Sequence, residues 1–357
     1  MTPLARLIAA RIAAEGPVSL SDYMADCLLH PRHGYYATRD PFGARGDFTT
    51  APEISQMFGE LLGLCLAQGW LDQGRPTPFL LAEIGPGRGT LMADMLRAMR
   101  AVPGLAAALR VHLIEASPKL RERQRRTLAD HPVTWHDRIE DLPEGPLFLV
   151  ANEFFDALPI RQFRREGPGW RETQVGLSDG RLAPGLGPVS SLPRLDGRLS
   201  DTRDGDIVEY CPALAPIAGA MAARIARHGG VALIVDYGDG HSLGDTLQAL
   251  RDHAPADPFA DPGLADLTAH VDFEALAHAF RGAGAAVTAM TPQGVFLERL
   301  GLAARAERLA RGLSGAALRS HLGAHRRLTH PAEMGQLFKV IACHPAGTPP
   351  PPGLDPA

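Results

Sequence analysis

Phe79-Leu80-Leu81-Ala82-Glu83-Ile84-Gly85-Pro86-Gly87-Arg88-Gly89-Thr90 reads as a strand, a glycine loop and the first residue of a helix. A short apolar run bounded by turn residues suits a strand buried on both faces. Glycines just beyond it permit positive φ and close approach of the backbone to a ligand. The helix that follows, Leu91 to Met99, adds oriented N–H groups at its start. Further strands lie downstream: Val111-His112-Leu113-Ile114-Glu115, then Val133-Thr134-Trp135, then Leu147-Phe148-Leu149-Val150-Ala151, then Val231-Ala232-Leu233-Ile234-Val235. Helices over Lys119–Leu128 and about 213–228 separate them, and this alternation predicts an α/β fold with a parallel sheet covered on both faces.

Upstream, Leu4, Leu7, Ile8 and Ile12 share one helical face, as do Ile54, Met57, Phe58, Leu61 and Cys65. The second helix is predicted to start at Thr50, with Pro52 in its first turn and Glu53 completing a capping box. The chain thus divides into an N-terminal helical region over 1–75 and a sheet domain over 76–344. That domain carries a hairpin insertion at about 161–205 and a long Asp/Gly/Pro-rich loop at about 238–268. The proline-rich tail over 345–357 is expected to be disordered.

The 357 residues are 45% hydrophobic and 21% charged, with a formal net charge of -4. One large or two modest cores fit that composition, and the charge offers no global basic field, so no nucleic-acid partner is expected. The densest basic run, Arg121, Arg123, Arg125 and Arg126, reads as a solvated helix face. Four scattered cysteines suit a reducing cytoplasm. Cys27, His30 and His33 lack the further ligand a closed metal site needs, so no metal is expected. No apolar run approaches the roughly 18–20 residues that span a bilayer, and no secretory signal is evident. The cytoplasm is the expected location, or the mitochondrial matrix if the source is eukaryotic.

Spacing narrows the ligand of the loop. Gly85, Gly87 and Gly89 form GxGxG, whereas a dinucleotide fingerprint places its third glycine one residue later, and no Lys-Ser or Lys-Thr follows to make a P-loop. Glu83 just before the loop would repel a pyrophosphate but attract the ammonium of S-adenosylmethionine (SAM). Glu115, at the end of the second strand, suits a pair of ribose hydroxyls in either NAD or SAM. Trp135, His136 and Asp137 fall where an adenine is gripped, Asp137 serving equally as a turn cap.

Several segments together resemble a known family. Gly46-Asp47-Phe48-Thr49-Thr50-Ala51-Pro52-Glu53-Ile54-Ser55 with Phe58-Gly59-Glu60, the Glu83–Gly89 loop, Asn152-Glu153-Phe154-Phe155-Asp156-Ala157-Leu158-Pro159, Asp236-Tyr237-Gly238, Ala265 to Phe273 and Gly335 to Val340 are similar to the MidA-like class I SAM methyltransferases. That family includes a mitochondrial complex I assembly factor and bacterial relatives. The resemblance implies a Rossmann-like seven-stranded class I methyltransferase sheet with a reversed last strand, an added N-terminal helical region and SAM as cofactor. It also implies a protein partner, a subunit of respiratory complex I methylated on arginine in support of assembly. A SAM-binding chaperone, or a methyltransferase with another protein or small-molecule acceptor, remains open on the residues alone.

A guanidinium acceptor arrives protonated, and carboxylates gripping two of its nitrogens can free lone-pair density on the third. Asn152, Glu153 and Asp156 follow the fourth strand, at the carboxyl edge where open α/β sheets bind ligands. Glu153 and Asp156 are three apart and would share a face in a first helical turn, so these three are the expected catalytic residues. Asp47 is a further candidate from the N-terminal signature.

Overall fold

The computed structural model describes residues 1–38 and 49–357, and the chain divides into two compact units. Asp47 and most of the Gly46–Thr50 signature lie outside the described residues.

The sheet unit comprises residues 49–155, 215–240 and 273–357. Among the described residues, its seven main strands are β1 (Phe79–Ile84), β2 (Leu109–Ile114), β3 (Val133–His136), β4 (Leu147–Asn152), β5 (Gly230–Asp239), β6 (Ala286–Val287) and β7 (Phe338–His344). They lie in the order β6-β7-β5-β4-β1-β2-β3. Neighbours from β5 to β3 run parallel, and β7 runs antiparallel to β5, pairing Val235 with Val340. This is the seven-stranded Rossmann-like arrangement with its last strand reversed. Every residue of β1 and β4 is buried, which accounts for their unbroken apolar runs. The order turns back between β1 and β4, and that switch point opens at the carboxyl ends of both strands, where open sheets bind ligands.

Helix Gln56–Asp72 packs on helix Thr90–Met99, which follows the glycine loop. A Cβ on Gly59 would sit 2.6 Å from the Asp94 Cβ, and one on Gly63 would sit 2.8 Å from the Met95 Cα. Both glycines therefore set how closely the helices approach. The predicted single helix from Thr50 is corrected: Ala51–Ile54 forms one turn, Ser55 is extended, and the long helix begins at Gln56 with the Ser55 hydroxyl accepting from the Met57 N–H. Thr50 makes no side-chain cap bond, and the Glu53 carboxylate accepts from the Thr90 hydroxyl instead of closing a capping box.

The second unit comprises, among the described residues, 1–38, 156–214 and 241–272. It holds the insertions together with the N-terminal helices Pro3–Glu15 and Leu20–Leu29, capped by Thr2 and Ser19. The expected boundary near residue 75 is thus replaced by a non-contiguous division. The first insertion is more than a hairpin: antiparallel strands Arg161–Glu166, Gly169–Ser178, Arg181–Ser190 and Ile207–Tyr210 form a sheet with Val18–Ser19. The expected loop at 238–268 contains a small three-stranded sheet of Gln248–Arg251, Ala254–Ala256 and Asp266–Thr268.

The tail expected to be disordered is packed into the sheet unit. Leu354 is buried, the Ala357 N–H donates to the Val287 carbonyl, and Arg299 pairs with Asp355 at 2.8 Å. Proline content pointed to a solvated chain, but buried Pro351 and Leu354 and the main-chain bonds of Ala289 and Ala357 anchor it. Among the described residues, no helix is long and apolar enough to cross a membrane.

Candidate functional site

The loop after β1 is built by backbone geometry. The Gly85 N–H donates to the Ile114 carbonyl at 3.1 Å, and Gly85, Gly87 and Gly89 all have positive φ. A Cβ at Gly85 would meet the Phe154 ring at 3.0 Å, so the turn after β4 covers the loop closely.

Glu83 ends buried at 3% exposure, and among the described residues its Oε2 has no hydrogen-bond partner. Burial pushes its carboxyl up to about 8, the charge of Glu115 adds to this, and a hydrogen bond from the Met92 backbone opposes it. A buried acid with an orphaned oxygen and a neighbouring acid is completed by a cation and made worse by phosphate.

Glu115 is held open-handed. One oxygen accepts from the Ser117 N–H at 2.8 Å, the other from the Gln124 side-chain amide at 3.1 Å. Burial raises its carboxyl, with those two bonds pulling the other way. Gln124, fully buried, also donates to the Gly87 carbonyl at 2.9 Å and accepts from the Trp135 indole at 2.9 Å. It joins the glycine loop, the β2 acid and the β3 aromatic. Nothing in the residue pattern singled Gln124 out; its partners lie 37, 9 and 11 positions away. Trp135 is half-buried beneath the Arg125 guanidinium, whose carbon lies 4.8 Å from the ring centroid. Asp137 is largely exposed and bonded to Arg121 at 2.5 Å.

The turn after β4 is strained. Glu153 has φ 50°, a left-handed conformation that costs a non-glycine residue about 1–2 kcal/mol. Its N–H donates to the Val235 carbonyl at 2.9 Å, and its Oε1 accepts from the Ala51 N–H at 3.1 Å and the Asn152 side-chain amide at 3.2 Å. Because the Asn152 nitrogen is committed to Glu153, its other terminal atom is the acceptor. That Oδ1 is buried and, among the described residues, has no hydrogen-bond partner.

The helical-face pairing of Glu153 with Asp156 is corrected: no helix forms at 153–158, and the left-handed Glu153 turns the chain. Asp156 belongs to the other unit, where its carbonyl accepts from the Ala269 N–H at 3.0 Å. Glu53, read from sequence as a cap, instead accepts from the Thr90 hydroxyl at 2.6 Å and faces Arg88 at 3.8 Å, tying residues 51–54 to the helix behind the loop. Glu60 of the N-terminal signature is also structural. Burial raises its carboxyl, but Arg305 at 2.7 Å and Arg97 at 3.1 Å outweigh that and hold it low.

A family of S-adenosyl-L-methionine-dependent methyltransferases matches residues 61–291. The chain belongs to this family. It is 37% identical to the protein arginine methyltransferase NDUFAF7 homolog, mitochondrial, of Drosophila melanogaster, over 96% of this chain and 85% of that protein. With the protein arginine methyltransferase NDUFAF7, mitochondrial, of Homo sapiens it shares 36% identity over 97% of this chain and 84% of that one. A crystal structure from Burkholderia thailandensis, bound to S-adenosyl-homocysteine, superposes with a TM-score of 0.85 at 33% identity, over 98% of this chain and 93% of that chain. The protein is a SAM-dependent methyltransferase, and SAM is its cofactor. The donor set of this methyltransferase fits that cofactor: an orphaned acid for an ammonium, a second acid for hydroxyls and a loop with three glycines at positive φ.

Proposed function

We propose that this methyltransferase places a methyl group on an arginine of a protein, and that the protein is a subunit of respiratory complex I. The observation that carries the reading is a pair of orphaned buried acceptors, Glu83 Oε2 and Asn152 Oδ1, at the carboxyl ends of adjacent parallel strands. Neither has a donor among the described residues, and a ligand would supply one to each. Glu83 takes the ammonium of the cofactor's methionine part, Gly85, Gly87 and Gly89 leave room for its backbone, and Glu115 takes its ribose hydroxyls. Asp137 borders the adenine end beside Trp135.

Bound SAM supplies a methyl group already activated by a positive sulfur. The residues of the chain orient the acceptor and shape its charge. Asn152 Oδ1 accepts one guanidinium N–H and the Glu153 carboxylate another. Holding those nitrogens localises positive charge on them and leaves electron density on the third. The names of the relatives support an arginine acceptor, and the family resemblance supports a complex I subunit. The reaction takes place in the cytoplasm, or in the matrix for a mitochondrial form.

Comparing intact masses of complex I subunits from cells with and without the protein tests the acceptor. One subunit is expected to lose a methyl increment on arginine in its absence; identical masses would overturn the assignment. For the site, Glu153→Gln is expected to keep SAM affinity within about twofold and to lower methyl transfer by roughly a hundredfold. Full activity of that variant would remove Glu153 from the site.

A further inference from the structure

Asp236 lies in β5 with no exposed surface. Its Oδ2 accepts from the N–H groups of Phe154 at 3.2 Å and Phe155 at 3.0 Å, and its Oδ1 accepts from the N–H of Tyr237 at 2.9 Å. One carboxylate therefore gathers three main-chain donors, two of them from the turn after β4. Glu153 sits immediately before those two, in the left-handed conformation, with its own N–H on the carbonyl of Val235. Backbone in a sparsely populated region persists only where its surroundings over-determine it. Here β5 supplies that constraint, the Val235 carbonyl from one side of Glu153 and the Asp236 carboxylate from the other. The same turn lays Phe154 against the backbone of Gly85.

Resting on the reading of Glu153 as an acceptor-binding acid, we propose that Asp236 is a positioning residue for methyl transfer, acting through Glu153. It touches neither acceptor nor cofactor. Its charge-assisted bonds fix where the chain reverses, and hence where the Glu153 carboxylate is delivered. A catalytic group displaced by about 1 Å can lose on the order of a hundredfold in rate.

The test uses Asp236→Asn, Glu153→Gln and the double variant in the full chain, with SAM affinity by titration calorimetry and kcat with the complex I subunit whose arginine mass depends on the protein. Asp236→Asn keeps one carbonyl oxygen, so whichever way the amide turns its NH2 group faces at least one main-chain N–H that needs an acceptor. It is expected to lower kcat by roughly 10- to 100-fold while SAM affinity changes by less than about threefold. Because Asp236 acts through Glu153, the double variant is expected to be no slower than Glu153→Gln alone. Multiplying losses in the double variant would overturn the inference, as would an Asp236→Asn enzyme with unchanged kcat. Should Asp236→Asn fail to fold, Asp236→Glu keeps the charge and shifts the oxygens; a folded Asp236→Glu with full kcat overturns the inference, and failure of both to fold assigns Asp236 to stability alone and overturns it too. A fully active Glu153→Gln instead refutes the reading of Glu153 beneath it, so the two failures are distinct.

Discussion

Glu83 of the sheet unit and Glu209 of the inserted unit are both buried carboxylates raised by burial, yet they end differently. Glu209 is closed: one oxygen accepts from Gln162 at 3.1 Å and the Thr246 N–H at 2.9 Å, the other from the Thr246 hydroxyl. Gln162 is engaged in turn by the Thr173 hydroxyl at 2.9 Å and by Asp245 at 2.8 Å. Glu83 leaves an oxygen without a partner among the described residues. Burial by itself therefore does not mark a functional acid. A missing partner at the carboxyl edge of the sheet, beside the glycine loop, points to a ligand instead.

The contrast is broken most forcefully at Glu83. Glu83→Gln removes the charge meant for an ammonium, a bond worth about 1.5–3 kcal/mol, so calorimetry is expected to find SAM bound roughly 10- to 150-fold more weakly. Gly85→Ala comes next. Its φ of 66° disfavours any Cβ, and Phe154 already fills the space. A cost of about 1–2 kcal/mol would weaken cofactor binding by roughly five- to thirtyfold; an unchanged Kd would show that the loop shape is not what the cofactor reads.

The pH dependence follows from the direction at Glu83. Its folded pKa, about 8, lies above the unfolded value, so without cofactor the folded chain binds a proton that the unfolded chain releases. Stability of the free protein is favoured below the ordinary carboxyl range and declines as pH rises through about 8. A bound ammonium reverses the preference, so SAM binding expels the proton and affinity falls by up to about tenfold per pH unit below 8. Calorimetry in buffers of different ionisation enthalpy measures that release; none at pH 7 would show Glu83 already ionised. The smallest effect on the cofactor is expected from Glu209→Gln. It should leave SAM affinity within about twofold while lowering Tm by roughly 2–10 °C, through one acceptor replaced by a donor.

Local chemistry made much of this legible in sequence. The β1 run, the spacing of Gly85, Gly87 and Gly89 and the acid at position 83 need only neighbouring residues to be understood, and the sheet and loop follow from them. What escaped depends on distant pieces of chain. Residues 1–38, 156–214 and 241–272 form one unit through contacts no local period announces. Glu53 looked like a cap because its real partner, Thr90, lies 37 residues on. Glu153 and Asp156 looked like helical neighbours because a left-handed glutamate is imposed by β5, not by its own propensity. The packed tail reflects buried Pro351 and Leu354 and main-chain bonds to Ala289 and Val287, which proline content does not announce.

Gln124 carries a consequence for which substitutions the pocket wall tolerates. The Trp135 indole can only donate, so it dictates which end of the amide is oxygen and sends the NH2 group towards the Gly87 carbonyl and Glu115. A glutamate of identical shape would satisfy the indole but confront a carbonyl and a carboxylate with a second anion. The neutrality of position 124 is thus enforced from three separate strands and loops, and the polarity of the wall is decided before any ligand arrives.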